Sequence, residues 1–372
     1  MSKVCYLGVY RDGTGWAQAA IDYILALDAA GVDVVCRPIR LNHSKSVVPQ
    51  RIYDLESKSL TDCRVVIQHI LPHMMDYNGR LKNIGMFASE TSNFRHTNWK
   101  RKLNTMDEIV VFCGQQVEAC FESKVNRPIH VIPHACDVGK FQKHYQPLKL
   151  PFSKNDFVFY FIGEFNRRKN LAALLKAFHT TFRPSEPVQL VIKSSVPGRS
   201  AAESHEIIHS FCEQIKKDLK IYRSPSKYKA EVINTRRFDD EEILRLHASC
   251  NCFVMPSRGE AWCIPAFDAL GMGRPVIATN TGGMADYLSG GNGWLVPFQS
   301  EPCFGMQDTL PDLYTADETW AEISIPALSD AMREAFEMPK LYQEKATNAA
   351  NSVYDYSHLS IGTQMREVLN LD

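Results

Sequence analysis

Residues 252–283 read CFVMPSRGEAWCIPAFDALGMGRPVIATNTGG, and their reading decides the fold. The apolar run Cys252–Met255 predicts a buried strand that stops at Pro256. A polar loop carrying Glu260 follows. Pro265 suits the first position of a short helix, Ala266 to Met272, with Gly273 as its stop. A second apolar run, Pro275 to Ala278, ends in a Gly-rich turn at Asn280–Gly283. Strand, loop, helix, strand and loop in so short a span form a unit of parallel-sheet type. Its loop and helix N-terminus fall at the carboxyl edge of the sheet, where open α/β sheets bind ligands. Glu260 in the loop and Asp268 in the helix are the acids at that edge.

The chain has 372 residues, more than one comfortable core, and suits two domains. Its 45% apolar and 23% charged content is that of an ordinary globular protein. The formal net charge is zero, so the totals point to no nucleic-acid or anionic-membrane partner. No run approaches the roughly 20 apolar residues that span a bilayer. The start, MSKVCYLGVY, reads as a strand rather than a secretory leader. Eleven cysteines, an odd number, sit mostly in apolar segments without CxxC or zinc spacing. They read as core fillers in a reducing, cytoplasmic setting.

Outward from the opening stretch, strands alternate with helices along the whole chain, which predicts parallel sheets covered on both faces. Lys3–Tyr10 is a strand, Arg11–Gly15 a turn, Trp16–Ala30 a helix capped by Gly31, and Val32–Ile39 a strand. A nicotinamide site is disfavoured. Gln18 stands where the third fingerprint glycine belongs, and the second strand ends near Arg37 and Arg40 without an acid. Gly13 and Gly15 leave open a phosphate loop or a plain tight turn. Strands are expected at Val65–Ile70, Asn83–Ala88, Glu108–Cys113 and Ile129–Ile132. Lys143–Asn155 loses periodicity and reads as a linker. The expected division is residues 1–148, residues 149–353, and a tail helix within 354–372 that packs back on the first domain. In the second half, strands are expected at Phe157–Ile162, Val188–Lys193, Ala230–Asn234 and Trp294–Pro297. Ser194–Ser204 reads as a loop, and Ser300–Thr319 as irregular.

Three loops converge at the carboxyl edge of the second sheet. GEFNRRKN, residues 163–170, sets Arg167, Arg168 and Lys169 just before a helix N-terminus. Cations beside such an anion-favouring end would clamp a diphosphate, and a solvated basic turn is the plain alternative. The other loops are Ser257–Ile264 and Asn280–Gly283. Glu260 and Asp268 could accept hydrogen bonds from vicinal hydroxyls of a sugar and a ribose. Equally, Asp268 could sit in the first helical turn for the sake of the dipole. Asp239 and Asp240 open a helix and read as caps rather than metal ligands. Lys100, Arg101 and Lys102 beside Trp99 read as a solvated helix face, with anionic lipid as the other option. His69, His73 and His134 read as polar residues at strand ends.

Taken together, SRGEAWCIPAFDALGMGRPVIATNTGG, GEFNRRKNLAALLKAF, ETSNFRHTNWKRKLNTMDEIVVF and HVIPHACDVGKF resemble the retaining glycosyltransferases of family 4. The first resembles that family's E-x7-E block, and the second its basic diphosphate loop. The resemblance implies the GT-B fold, with two Rossmann-like doubly wound parallel-sheet α/β domains facing a central cleft. It implies transfer of a hexose from a UDP- or GDP-type nucleotide sugar to a glycan or lipid-linked acceptor, with no cofactor and no metal. Glu260 then matches the acid at the donor sugar, and Asp268 the acid on the ribose, as Asp where the family usually has Glu. Arg168 and Lys169 match the diphosphate pair, with Arg167 in reserve. Glu164 stands where many members have Arg. The main chain of Ala261, Trp262, Cys263 and Ile264 would cradle sugar and phosphate. Gly13 and Gly15 match the glycine loop of the acceptor domain. Where some members carry His, this chain runs through Ala88-Ser89-Glu90, which makes Glu90 the candidate polar group near the acceptor and a plain capping acid its alternative. Closure of the domains would exclude water.

The other readings are a nucleotide-sugar epimerase or hydrolase of the same architecture, or a non-catalytic nucleotide-sugar-binding protein. Nucleic acid is not expected as a partner, since no basic stripe supports it. Contact with a membrane surface is left open.

Overall fold

The protein is described by a computed structural model covering residues 2–41, 46–307 and 309–371. It divides into two compact units. The first comprises Met1–Lys140, Leu310–Glu318 and Tyr354–Asp372, and the second Phe141–Thr309 and Thr319–Val353. The main division falls at Lys140, ahead of the residue 148 boundary read from the linker. The segment Leu310–Glu318 joins the first unit without any sequence sign.

The first unit opens with β1 (Lys3–Gly8), α1 (Gly15–Ala29), β2 (Val34–Pro38), α2 (Gln50–Ser57) and β3 (Cys63–His69). It continues through β4 (Lys82–Met86), α3 (Trp99–Leu103), β5 (Glu108–Val111), α4 (Gly114–Glu122) and β6 (Ile129–Val131). The sheet order is β2-β1-β3-β4-β5-β6, with every pair parallel. The direction of winding reverses between β1 and β3, so the turn after β1 leaves at a topological switch point. Gly13 occupies that turn at φ +69°, and the Thr14 side chain caps α1 by accepting from the Ala17 N–H. Helix α2 is absent from the sequence reading, because its eight residues bury only Ile52 and Leu55 and carry too little periodicity.

The second unit runs through β7 (Phe157–Glu164), α5 (Leu171–Thr181), β8 (Val188–Ser195), α6 (Ala201–Leu219), β9 (Val232–Asn234), α7 (Asp240–Ser249) and β10 (Cys252–Met255). Then come α8 (Ile264–Gly271), β11 (Val276–Thr279), α9 (Gly282–Tyr287), β12 (Gly293–Val296), β13 (Phe298–Pro302), β14 (Thr319–Ile323), α10 (Ile325–Glu337) and α11 (Pro339–Asn351). Its sheet order is β12-β11-β10-β7-β8-β9, again all parallel. Here the winding reverses between β7 and β10. Both strands are nearly all apolar and buried, as central strands of a doubly covered sheet must be.

Three local expectations are corrected. Ser300–Thr319 is not wholly irregular, since β13 and β14 pair antiparallel as a hairpin. Part of the loop read at Ser194–Ser204 is the first turn of α6, which Ser200 and Glu203 start with a capping box. Gly282 and Gly283 open α9 rather than close a turn. Asp239 caps α7 in a capping box with Glu242, a structural job.

The last helix, α12 (His358–Val368), lies on α1 within the first unit. A Cβ at Gly362 would fall 1.8 Å from the Ala26 carbonyl oxygen, so the close approach requires glycine. Arg366 donates to the Ala30 carbonyl at 2.9 Å, and His358 contacts Asp22 at 2.8 Å. Every cysteine is free, and all but Cys63 are buried. His69 and His134 are buried too, packed edge-on against Phe112, which corrects their reading as polar edge residues. Burial pushes the His69 imidazole down to about 3, so it is neutral at physiological pH.

Candidate active site at the carboxyl edge of the second sheet

The loop after β7 carries Arg167, Arg168 and Lys169, and the loop after β10 carries Glu260. Because β7 and β10 are neighbours at the switch point, the two loops leave the sheet side by side. Main-chain and side-chain bonds stitch them together. The Arg258 N–H donates to the Arg168 carbonyl at 2.7 Å, and the Ser257 hydroxyl donates to the same oxygen at 3.2 Å. The Arg168 guanidinium donates to the Gly259 carbonyl, and the Arg258 guanidinium to the Arg167 carbonyl.

Glu260 receives both cations on one oxygen. Lys169 Nζ lies 2.7 Å and Arg168 Nη1 3.1 Å from Oε1. The carboxylate is only 6% exposed. Burial alone would raise its pKa, but Lys169 and Arg168 more than offset this and hold the group below the usual carboxylate range. Glu260 is therefore an anion, and the trio carries one net positive charge. The arrangement presents fixed cations at an anion-favouring edge, beside an acid whose charge they secure.

The main chain of the acid loop is clamped from the other side. A Cβ on Gly282 would stand 1.9 Å from the Glu260 carbonyl oxygen, and Gly282 has φ +61°. The Gly283 N–H donates to that same oxygen at 3.0 Å. Tyr287 Oη donates to the Trp262 carbonyl at 3.0 Å and lies 3.3 Å from that of Cys263. The Trp262 ring is buried against Phe267 and Tyr287.

Both helices at this edge begin from a left-handed residue. Asn170 precedes α5 at φ +55°, and Cys263 precedes α8 at φ +72°. Asn tolerates this conformation, whereas for Cys it is strain on the order of 1–3 kcal/mol. Burial pushes the Cys263 thiol up to about 12. Helix α8 starts at Ile264, two residues earlier than expected, so Pro265 is its second residue and Asp268 its fifth. Asp268 thus lies beyond the first turn, which removes the helix-dipole explanation for it, and it is buried.

The remaining sequence-derived candidates divide by location. Arg167 turns away from Glu260 and lies over the Phe304 ring, 4.8 Å from its centroid. Gly13, Gly15 and Glu90 belong to the first unit, where Glu90 follows β4 and accepts a 2.6 Å hydrogen bond from Tyr314 Oη. Lys102, read as part of a solvated basic face, is instead tied to Asp76 at 2.8 Å and to the Met75 carbonyl. Among the described residues no cluster of three or more His, Cys, Asp or Glu side chains is gathered as a metal would need. No helix of the described residues is long and apolar enough to cross a membrane.

Arg258 is the residue that sequence reading missed. It is buried and paired with Glu301 and Glu322 of the β13–β14 hairpin, over the Trp320 ring. The Ala321 N–H donates to its carbonyl at 2.9 Å. A charged residue two positions before the buried acid was a usable signal. Its partners, more than forty residues on, were not.

Solved structures with this architecture cover the whole chain. A sucrose-phosphate synthase from Thermosynechococcus elongatus superposes with a TM-score of 0.68 at 16% identity, covering 100% of this chain and 98% of its own. Anabaena HepE, crystallised with UDP and glucose, gives 0.65 at 14%, with 100% of both chains covered. The fold is GT-B. Residues 143–302 match the family model for glycosyl transferases group 1. The D-inositol 3-phosphate glycosyltransferase of Corynebacterium jeikeium is 24% identical over 259 residues, 65% of this chain and 58% of its own. The Corynebacterium urealyticum protein of the same name is 26% identical over 232 residues, 59% of this chain and 51% of its own. This chain thus spans about half the length of those curated relatives.

Proposed function

We propose that the protein is a retaining glycosyltransferase that moves a hexose from a nucleoside-diphosphate sugar to a glycan or lipid-linked acceptor. The observation that carries this reading is the buried Glu260 carboxylate with Lys169 and Arg168 on a single oxygen, at the switch point of a group 1 domain. Departure of the nucleoside diphosphate builds negative charge. Arg168, Lys169 and the N-terminal N–H groups of α5 meet it from fixed positions. Glu260 remains ionised and stabilises the positive character that develops at the sugar. Asp268 takes the ribose hydroxyls, and the Ala261–Ile264 main chain cradles the sugar. Gly13 and Gly15 keep the diphosphate role, and Glu90 the acceptor role, that the resemblance implies. Attack on the face the diphosphate leaves gives retention of configuration.

UDP-sugars are the first donors to test, because UDP occupies the HepE structure that shares this fold. Incubation with UDP- and GDP-hexoses, with and without acceptor, read by mass spectrometry, decides the matter. Sugar appearing on the acceptor supports transfer. Free sugar or an isomerised donor, independent of acceptor, would replace it with the hydrolase or epimerase reading. Since the charge stabilisation is assigned to side chains, transfer is expected to survive a chelator, and its loss would move that role to a metal ion.

A further inference from the structure

The chain leaves the second unit after Thr309, spends Leu310–Glu318 in the first unit, and returns at Thr319. Within the first unit this segment grips the loop that follows β4. Tyr314 Oη donates to Glu90 Oε2 at 2.6 Å. Thr91 Oγ1 donates to Glu318 Oε2 at 2.6 Å, and the Thr315 N–H donates to the other oxygen of Glu318 at 3.2 Å. Asn93 Nδ2 donates to the Asp317 carbonyl at 3.2 Å. Leu310 and Leu313 pack on the apolar cluster that contains Phe87, Phe94 and Trp99.

Two features make this more than loop packing. Tyr314 has φ +57°, a conformation a bulky side chain does not adopt without compensation. Glu318 is 1% exposed, and burial raises its carboxyl although Thr91 and main-chain N–H groups oppose the shift. A strained tyrosine and a buried acid are thus both committed to the Glu90–Asn93 loop. The phenol-to-carboxylate bond is short and charge-assisted, and it fixes the direction in which Glu90 points.

We propose that Tyr314 is a positioning residue for Glu90, and that Leu310–Glu318 is a strap that sets the geometry of the acceptor-side loop. The inference rests on the reading of Glu90 as the acceptor-side group. The strap is supplied by the excursion between β13 and β14, so the loop is completed by residues remote in sequence from the sheet that bears it.

The test is a cycle of Tyr314→Phe, Glu90→Gln and the double variant. Transfer is measured against acceptor and donor concentration separately, and melting is followed for each protein. Loss of a hydrogen bond to a charged group lowers transfer by Tyr314→Phe about ten- to hundredfold, in acceptor KM or kcat, with the donor KM unchanged. The double variant is then no worse than the poorer single one, because both act through one bond. Tyr314→Leu serves as the second variant if the Phe protein melts early. Transfer by Tyr314→Phe at the wild-type rate, or losses that multiply in the double variant, overturns the inference alone. Wild-type turnover with an unaffected Glu90→Gln overturns the role of Glu90 and the strap with it. No sugar transfer by the wild type from any donor overturns the proposed function itself.

Discussion

Lys169 Nζ sits 2.7 Å from Glu260 Oε1, with Arg168 on the same oxygen, so the two cations next to the α5 N-terminus are both engaged by the acid. On the proposed function, a diphosphate would share these cations with Glu260. Acid and cations are one electrostatic object, and changes to either side are expected to have opposite effects on nucleoside-diphosphate binding.

Glu260→Gln removes the charge but keeps the shape. Turnover is expected to fall on the order of 10²–10³-fold, the scale of deleting one fixed electrostatic group at a reacting centre. Affinity for a nucleoside diphosphate, read by calorimetry, should hold or tighten, because Lys169 and Arg168 lose their competitor. Turnover equal to wild type would remove Glu260 from the chemistry.

Lys169→Ala leaves the buried carboxylate with one cation. Stability should drop by about 1–3 kcal/mol, seen as a lower denaturant midpoint, and nucleoside-diphosphate binding should weaken. Adding Glu260→Gln should restore part of the stability, since it abolishes the anion left behind. No recovery in the double variant would show that the lysine acts by packing instead.

The pH dependence has a defined sign. Glu260 has a folded-state pKa below the ordinary glutamate value of about 4.5. Its ionisation stabilises the fold fully above that value, and this contribution is lost as pH falls through the lower, folded value. Melting midpoints of wild type and Glu260→Gln should therefore differ most near neutrality and converge in acid. Parallel curves down to pH 3 would contradict the assigned environment.

Cys263 holds φ +72° at the start of α8. Cys263→Gly should be nearly neutral in stability, as relief of strain is offset by the freer unfolded chain. Cys263→Val, β-branched, should cost more than 1 kcal/mol. With its thiol pushed up to about 12 and buried, Cys263 should resist alkylation at pH 7.5 until the protein unfolds, as mass spectrometry of labelled peptides can show. Rapid native labelling would mean an opened loop.

How much of this was legible follows from how far apart the interacting residues lie. Strands such as Phe157–Ile162 and Cys252–Met255 announce themselves, because burial on both faces demands unbroken apolar runs. Arg168, Lys169 and Glu260 were legible as candidates, since loop chemistry between strand and helix is local. That both cations would converge on one oxygen of Glu260 was not, because it depends on β7 and β10 being neighbours although ninety residues separate them. Helix α2 escaped because two buried side chains are too few to set a period. A first-turn position was one of the two readings open for Asp268, because the helix was expected from Ala266, whereas Cys263 starts it from a left-handed cap that no sequence rule anticipates. Tyr314 had no signal. Its partner Glu90 is 224 positions away.

The interleaving of the two units bears on synthesis. Unit one needs Leu310–Glu318 for its β4 loop and α12 to cover α1. Its six strands precede the second unit in the chain, yet the pieces that finish it follow most of that unit. The amino-terminal half is therefore the later one to mature. A single cut near residue 140 would yield a fragment with α1 stripped of its partner helix. Whoever seeks the two halves separately must splice the returning segments back, or expect the first half to aggregate.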